Sequence, residues 1–178
     1  MSKKSNKTSN KKLLLIAIIT LAAIAIFGFV LYKILGGAGK KVEIEDSIVL
    51  DAEYKNTDGQ PIDISKKEDP VSFLAELTAK KKNFVVYVSL PVCNSDQARK
   101  FREYVLEFQH KNKITFYHLT SDYSKETGIY DTVKFFPSVL VYKDGKIISF
   151  LRYDSDEDLE YYKSYDGFSK WLKKHVEF

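Results

Sequence analysis

The chain has 178 residues, 28 basic and 24 acidic side chains, and a single cysteine, Cys93. That length suits one domain with extensions, since domains most often hold ~100–150 residues. The formal charge of +4 would suit a polyanionic partner, but six basic residues and no acidic ones fall within residues 1–35. The rest of the chain carries 22 basic against 24 acidic residues, a net −2, so the folded part lacks the cationic surface that nucleic-acid binding needs.

Residues 1–12 contain Lys3, Lys4, Lys7, Lys11 and Lys12 and form a basic stub. Leu13 to Tyr32 is then 20 residues without a charge, rich in Leu, Ile and Ala. At ~1.5 Å per residue such a helix spans about 30 Å, the thickness of a bilayer's hydrocarbon core. The expectation is one transmembrane helix over 13–35. A cleaved signal peptide is the rival reading, with Gly36-Gly37-Ala38 as a cutting site. Secretory apolar regions usually run only ~7–15 residues, which favours an uncleaved anchor. Lysines ahead of the span place the N-terminus in the cytoplasm and the C-terminal domain outside, although Lys33, Lys40 and Lys41 reduce the contrast. Residues 36–42 read as a flexible linker, and 43–178 as the folded domain.

A strand is expected near Ser47 to Glu53, followed by the turn-rich segment Asn56 to Pro61. Asp69-Pro70 reads as a helix start, with Phe73, Leu74 and Leu77 on its apolar face and Lys80-Lys81-Lys82 at its negative end. Asn83 to Leu90 is an apolar strand. The helix Gln97 to His110 repeats Ala98, Phe101, Val105 and Phe108 at spacings of three and four. A strand over Lys113 to Leu119 and a short helix or turn over Ser124 to Val133 come next. A hairpin then pairs Ser138 to Tyr142 with Lys146 to Leu151 across Lys143-Asp144-Gly145. The last helix is expected over Gly167 to Val176, capped by Asp166. The acidic, tyrosine-rich stretch Asp154 to Tyr165 has no firm assignment; its residues suit ordinary packing or an aromatic, acidic contact patch.

The order is that of a mixed α/β domain, with helix crossovers between parallel strands and a terminal antiparallel hairpin. An apolar strand runs into Cys93 at a helix N-terminus, and Pro137 follows 44 residues later, opening the hairpin. In these features the chain resembles the thioredoxin superfamily. The resemblance implies a thioredoxin-like fold, a central mixed sheet flanked by helices. It also implies a cis Phe136-Pro137 bond facing Cys93, in a groove for an extended peptide lined by Val92, Asn94, Phe136 and Pro137. At the level of architecture the chain also looks like the anchored thioredoxin-like proteins encoded with bacterial bacteriocin export systems.

Departures from the superfamily pattern bear on activity. Dithiol turnover needs a second thiol to resolve the mixed disulfide, and the four-residue site here reads Cys93-Asn94-Ser95-Asp96. Asp96 stands where the resolving cysteine would be, Val92 where a tryptophan usually precedes the first cysteine, and Tyr87 where a buried acid is usual. A helix N-terminus favours a thiolate at Cys93, while the Asp96 carboxylate opposes it. Two readings stay open: an accessory module that holds a protein or peptide client, with Cys93 a remnant, and a monothiol oxidoreductase or isomerase acting through Cys93. His110, His118 and His175 have no metal-ligand spacing, and no phosphate loop or serine–histidine–acid arrangement occurs, so no metal or cofactor is expected.

Overall fold

The computed structural model describes residues 47–92 and 95–177. The expected stub, membrane span and linker lie outside these residues, as do Cys93 and Asn94. Among the described residues no helix is long and apolar enough to cross a membrane.

In chain order the strands are β1 (Ile48–Val49), β2 (Ile62–Asp63), β3 (Phe84–Ser89), β4 (Tyr117–Thr120), β5 (Ser138–Lys143), β6 (Lys146–Phe150) and β7 (Val176–Glu177). The helices are α1 (Pro70–Ala79), α2 (Asp96–Asn112), α3 (Ile129–Thr132), α4 (Leu159–Tyr162) and α5 (Tyr165–His175). Five strands form one mixed sheet in the order β2-β4-β3-β5-β6. β4 runs parallel to β2 and β3, whereas β5 is antiparallel to β3 and β6 to β5. The fold is thioredoxin-like α/β, as the resemblance implied.

The central strands show why. Phe84 to Val88 are all buried, and so are Val139 to Val141 beside them. Strands covered on both faces read as continuous apolar runs, which is how they stand in the sequence. On one face Tyr117 meets Phe73 of α1 edge-on at 5.7 Å, and Tyr54 at 5.5 Å. On the other, Phe101 of α2 meets Phe168 of α5 at 5.4 Å and Tyr162 of α4 at 4.3 Å. Burying each such ring contributes roughly 1.5–3 kcal/mol, so two aromatic layers clamp the sheet.

Local signals hold where capping chemistry was readable. The Asp69 side chain accepts from Ser72 N at the start of α1, with Pro70 in its first turn. In the hairpin turn Asp144 and Gly145 have φ of 50° and 74°, the positive pair that a two-residue turn demands.

Four expectations need correction. The strand near Ser47 to Glu53 is only Ile48–Val49; it pairs with β7 in a separate two-stranded sheet and gives way to a 3₁₀ turn at Ala52–Tyr54. The main sheet's edge is instead β2, directly after the expected turn and too short to show periodicity. Over Lys113 to Leu119 the strand begins only at Tyr117, because Lys113 takes the left-handed C-cap of α2 at φ 53°. The last helix is capped by Ser164, which accepts from Gly167 N, so Asp166 lies inside the first turn. Its end also moves, since Val176 pairs with Ile48.

Candidate functional site

The C-terminal end of β3 is where a parallel α/β sheet usually exposes its ligand-binding groups. There β3 gives way at Leu90 to the loop leading to α2. Pro91 and Val92 are exposed, Val92 at 66%. Ser95 caps α2 by accepting from Ala98 N at 3.1 Å. Asp96, in the first turn, is exposed and ion-paired with Arg99, so its carboxylate is partly offset by a guanidinium on the same helix face.

The proline segment reaches this place through strand register. Val88 of β3 stands opposite Ser138 of β5, which puts Pro137 at the same sheet end as Leu90. The Phe136-Pro137 bond is cis, as the resemblance implied. Pro137 itself is buried and Phe136 half-buried, while Phe135 stands 51% exposed. The expected groove residues thus separate by exposure: Val92 projects, Phe136 is partly covered, and Pro137 sits beneath. Phe135 was not anticipated, since it merely precedes Phe136 in an apolar pair.

Tyr162 holds the segment from below. It is buried, and its hydroxyl donates to Pro137 O at 2.9 Å and Leu151 O at 3.1 Å. Burial pushes the phenol well above its ordinary pKa, so it remains a donor throughout the working pH range. Ser138 Oγ donates to Leu151 O as well, at 2.7 Å. Tyr162 comes from the tyrosine-rich stretch without an assignment; the sequence marks its composition but not which of its rings turns inward. Of its neighbours, Arg152 N donates to Asp158 Oδ2 at 2.8 Å and the Arg152 guanidinium pairs with Glu157, closing the acidic loop on itself.

On the α2 face, Tyr87, His118 and Asp63 stand side by side across β3, β4 and β2. Tyr87 is fully buried with its ring 5.1 Å from that of His118. Gln109 sets the state of this histidine. Its Oε1 accepts from Phe116 N at 2.8 Å, which leaves the amide NH₂ to donate to His118 Nε2 at 3.1 Å. His118 is therefore the neutral Nδ1–H tautomer. Burial, reinforced by the Arg102 charge, lowers its pKa to about 4, against a smaller opposite pull from Asp63. No group of three or more metal-ligating side chains occurs among the described residues.

No protein-family model and no curated protein matches the chain. Among solved structures, a thioredoxin mutant from Halobacterium salinarum is similar with a TM-score of 0.46 and 10% identity, over 68% of this chain and 96% of that one. The reduced thioredoxin of Schistosoma mansoni gives 0.46 and 18% identity, over 66% and 99% of the two chains. Trypanosoma brucei thioredoxin gives 0.45 and 10%, over 65% and 94%. Likeness at this level carries no argument about activity.

Proposed function

We propose that the chain is a membrane-anchored, extracytoplasmic thioredoxin-like accessory protein that holds a protein or peptide client and runs no dithiol chemistry. The observation that carries this reading is the pair of apolar side chains left in solvent, Val92 at 66% and Phe135 at 51% exposed. Val49 at 50% and Tyr130 at 36% are exposed as well, but Val92 and Phe135 are the two that lie by the C-terminal end of β3, where exposed apolar groups suit a partner's apolar residues. The single N-terminal span, with the N-terminus cytoplasmic, is part of the proposal and rests on the uncharged stretch Leu13 to Tyr32. A role linked to bacteriocin export rests on architecture alone.

Monothiol exchange through Cys93 is the second reading, favoured by the Asp96–Arg99 pair, which offsets the carboxylate that would oppose a thiolate. One experiment separates the two: acid-quenched trapping of clients from the native host by wild type, Val92→Asp with Phe135→Asp, and Cys93→Ser. The accessory reading expects the double variant to lose client capture at least tenfold and Cys93→Ser to keep it. An adduct that a reductant releases and Cys93→Ser abolishes would replace it with the monothiol enzyme.

A further inference from the structure

A second polar feature lies on the α2 side of the same sheet end, and client holding through Val92 and Phe135 does not use it. The C-terminal ends of β2, β4 and β3 leave a cleft of about 130 Å³, room for several waters. Its wall is chiefly polar: Asp63 and Ser65 from β2 and the turn after it, Ser89 from β3, His118 and Thr120 from β4, and Arg102 from α2. Ser89 and Thr120 are register partners, two residues beyond the Tyr87–His118 pair, so both side chains rise on the α2 face. Alternation in the strands and the second turn of α2 bring these groups together from four separate stretches of sequence.

One anion, Asp63, and one cation, Arg102, line the cleft. Asp63 is already engaged, accepting from Ser65 N at 3.2 Å and pairing with Lys66 at 3.2 Å. Arg102 takes part in no ion pair or side-chain hydrogen bond among the described residues. The hydroxyls of Ser89 and Thr120 likewise donate to nothing there, and Thr120 N is already bonded to Ser65 Oγ at 2.8 Å. His118 lines the cleft while 92% buried; Gln109 occupies its Nε2, and its Nδ1–H has no acceptor among the described residues. Donors without a partner among the described residues therefore gather around a small cavity, the exposed Arg102 guanidinium at its rim. A guanidinium fork matches a carboxylate in two parallel N–H···O bonds, a geometry a spherical anion cannot use.

From this cleft we infer that the domain carries a carboxylate-binding site, with Arg102 as the bidentate anchor and Ser89, Thr120 and His118 as the surrounding donors. The same chemistry is offered by a free small carboxylate and by the C-terminus of a peptide. A carboxylate here would also favour His118 protonation, and by linkage the two events strengthen each other. The groups facing His118 are Arg102 and Gln109 from α2, Asp63 from β2 and Tyr87 from β3; of these only Arg102 is a cation and only Asp63 an anion.

The test uses the full chain in detergent micelles with ¹³C-labelled histidine, so that His110, His118 and His175 report separately. Sodium acetate is titrated at constant ionic strength against chloride, then trialanine and its C-terminal amide. The expected result is a saturable shift of the His118 signal alone, with a rise in its titration midpoint. Arg102→Gln should weaken binding about tenfold or more, the loss typical of a hydrogen bond to a charged group. Arg99→Gln, on the same helix but outside the cleft, should leave it unchanged. Acetate without trialanine points to a free small carboxylate; trialanine without its amide points to a peptide terminus. No saturable shift of His118, equal affinity in Arg102→Gln, or equal binding of the amide would overturn the site. Because Val92 and Phe135 lie outside the cleft, failure here leaves the client test standing, and the converse also holds.

Discussion

The two ends of the sheet are finished in opposite ways. At the end where β3 begins, Asn83 joins three segments: its Nδ2 donates to Val49 O at 3.1 Å, its Oδ1 accepts from Asp144 N at 2.8 Å, and its carbonyl accepts from Asp51 N at 3.2 Å. Gly145 N donates to Lys82 O at 3.0 Å, and Lys82 Nζ lies 3.1 Å from Glu53 and 3.4 Å from Asp51. At the end where β3 finishes, Val92 and Phe135 face solvent, and Arg102, Ser89 and Thr120 keep donors to spare. Polar groups spent on internal bonds stabilise a fold; those left over are available to something else. The difference separates the end that holds the domain together from the end where the proposed client surface and carboxylate cleft lie.

The closed end should be the more sensitive to a single methyl group. A Cβ on Gly145 would lie 2.1 Å from Thr78 O, at a φ of 74° that disfavours any L side chain. Overpacking and left-handed strain together predict that Gly145→Ala costs about 3 kcal/mol or more. Urea denaturation followed by the fluorescence of Trp171, the only tryptophan and 5% exposed, measures it. A loss under about 1 kcal/mol would mean that this end is looser than its bonds imply.

Acid should act from the open end inward, through His118. Its pKa is about 4 in the folded domain, below the ordinary 6.5. Protonation is therefore disfavoured by folding, and the associated stability is present above pH 6.5, declines as pH falls toward 4, and changes no further below it. The gap corresponds to a loss on the order of 3 kcal/mol across that window. Urea midpoints at pH 7, 5.5 and 4 for wild type and His118→Gln check this: the wild type should lose stability faster than the variant. Parallel curves would remove His118 as the acid-sensitive group.

Features set by neighbours along the chain were legible in the sequence. The apolar run of β3, the Asp69-Pro70 start of α1, the 98-101-105-108 stripe of α2 and the Asp144-Gly145 turn each follow from local chemistry. Features set by distant partners were not. β2 is two residues long and exists because β4 pairs with it. Ser164 and Asp166 are both capping residue types, and only the bond from Gly167 N chooses between them. Nothing next to Arg102 in the chain marks it for a site, because the strand register that brings Asp63, Ser89, His118 and Thr120 into the same cleft joins stretches far apart in sequence. At the candidate site, Val92, Phe136 and Pro137 came from resemblance to the thioredoxin superfamily, whereas Phe135, Tyr162 and the Arg102 cleft came from the structure.

Tyr162 is where the open end is fastened, and its loss should give the smallest stability effect and the most selective functional one. Tyr162→Phe keeps the ring that lies 4.3 Å from Phe101, so the aromatic layer survives. It removes the donor to Pro137 O and Leu151 O, but Ser138 Oγ still reaches the latter. Only the buried Pro137 carbonyl loses its side-chain partner, a cost of about 1 kcal/mol, well below that at Gly145. If Val92 and Phe135 hold the client, loosening the 135–137 segment should weaken client capture severalfold, while acetate binding at Arg102, on the α2 side, stays unchanged. Capture assays and the His118 titration on the same variant decide it: equal losses in both would mean the sheet end responds as one body, and the division into a client surface and a carboxylate cleft would fail.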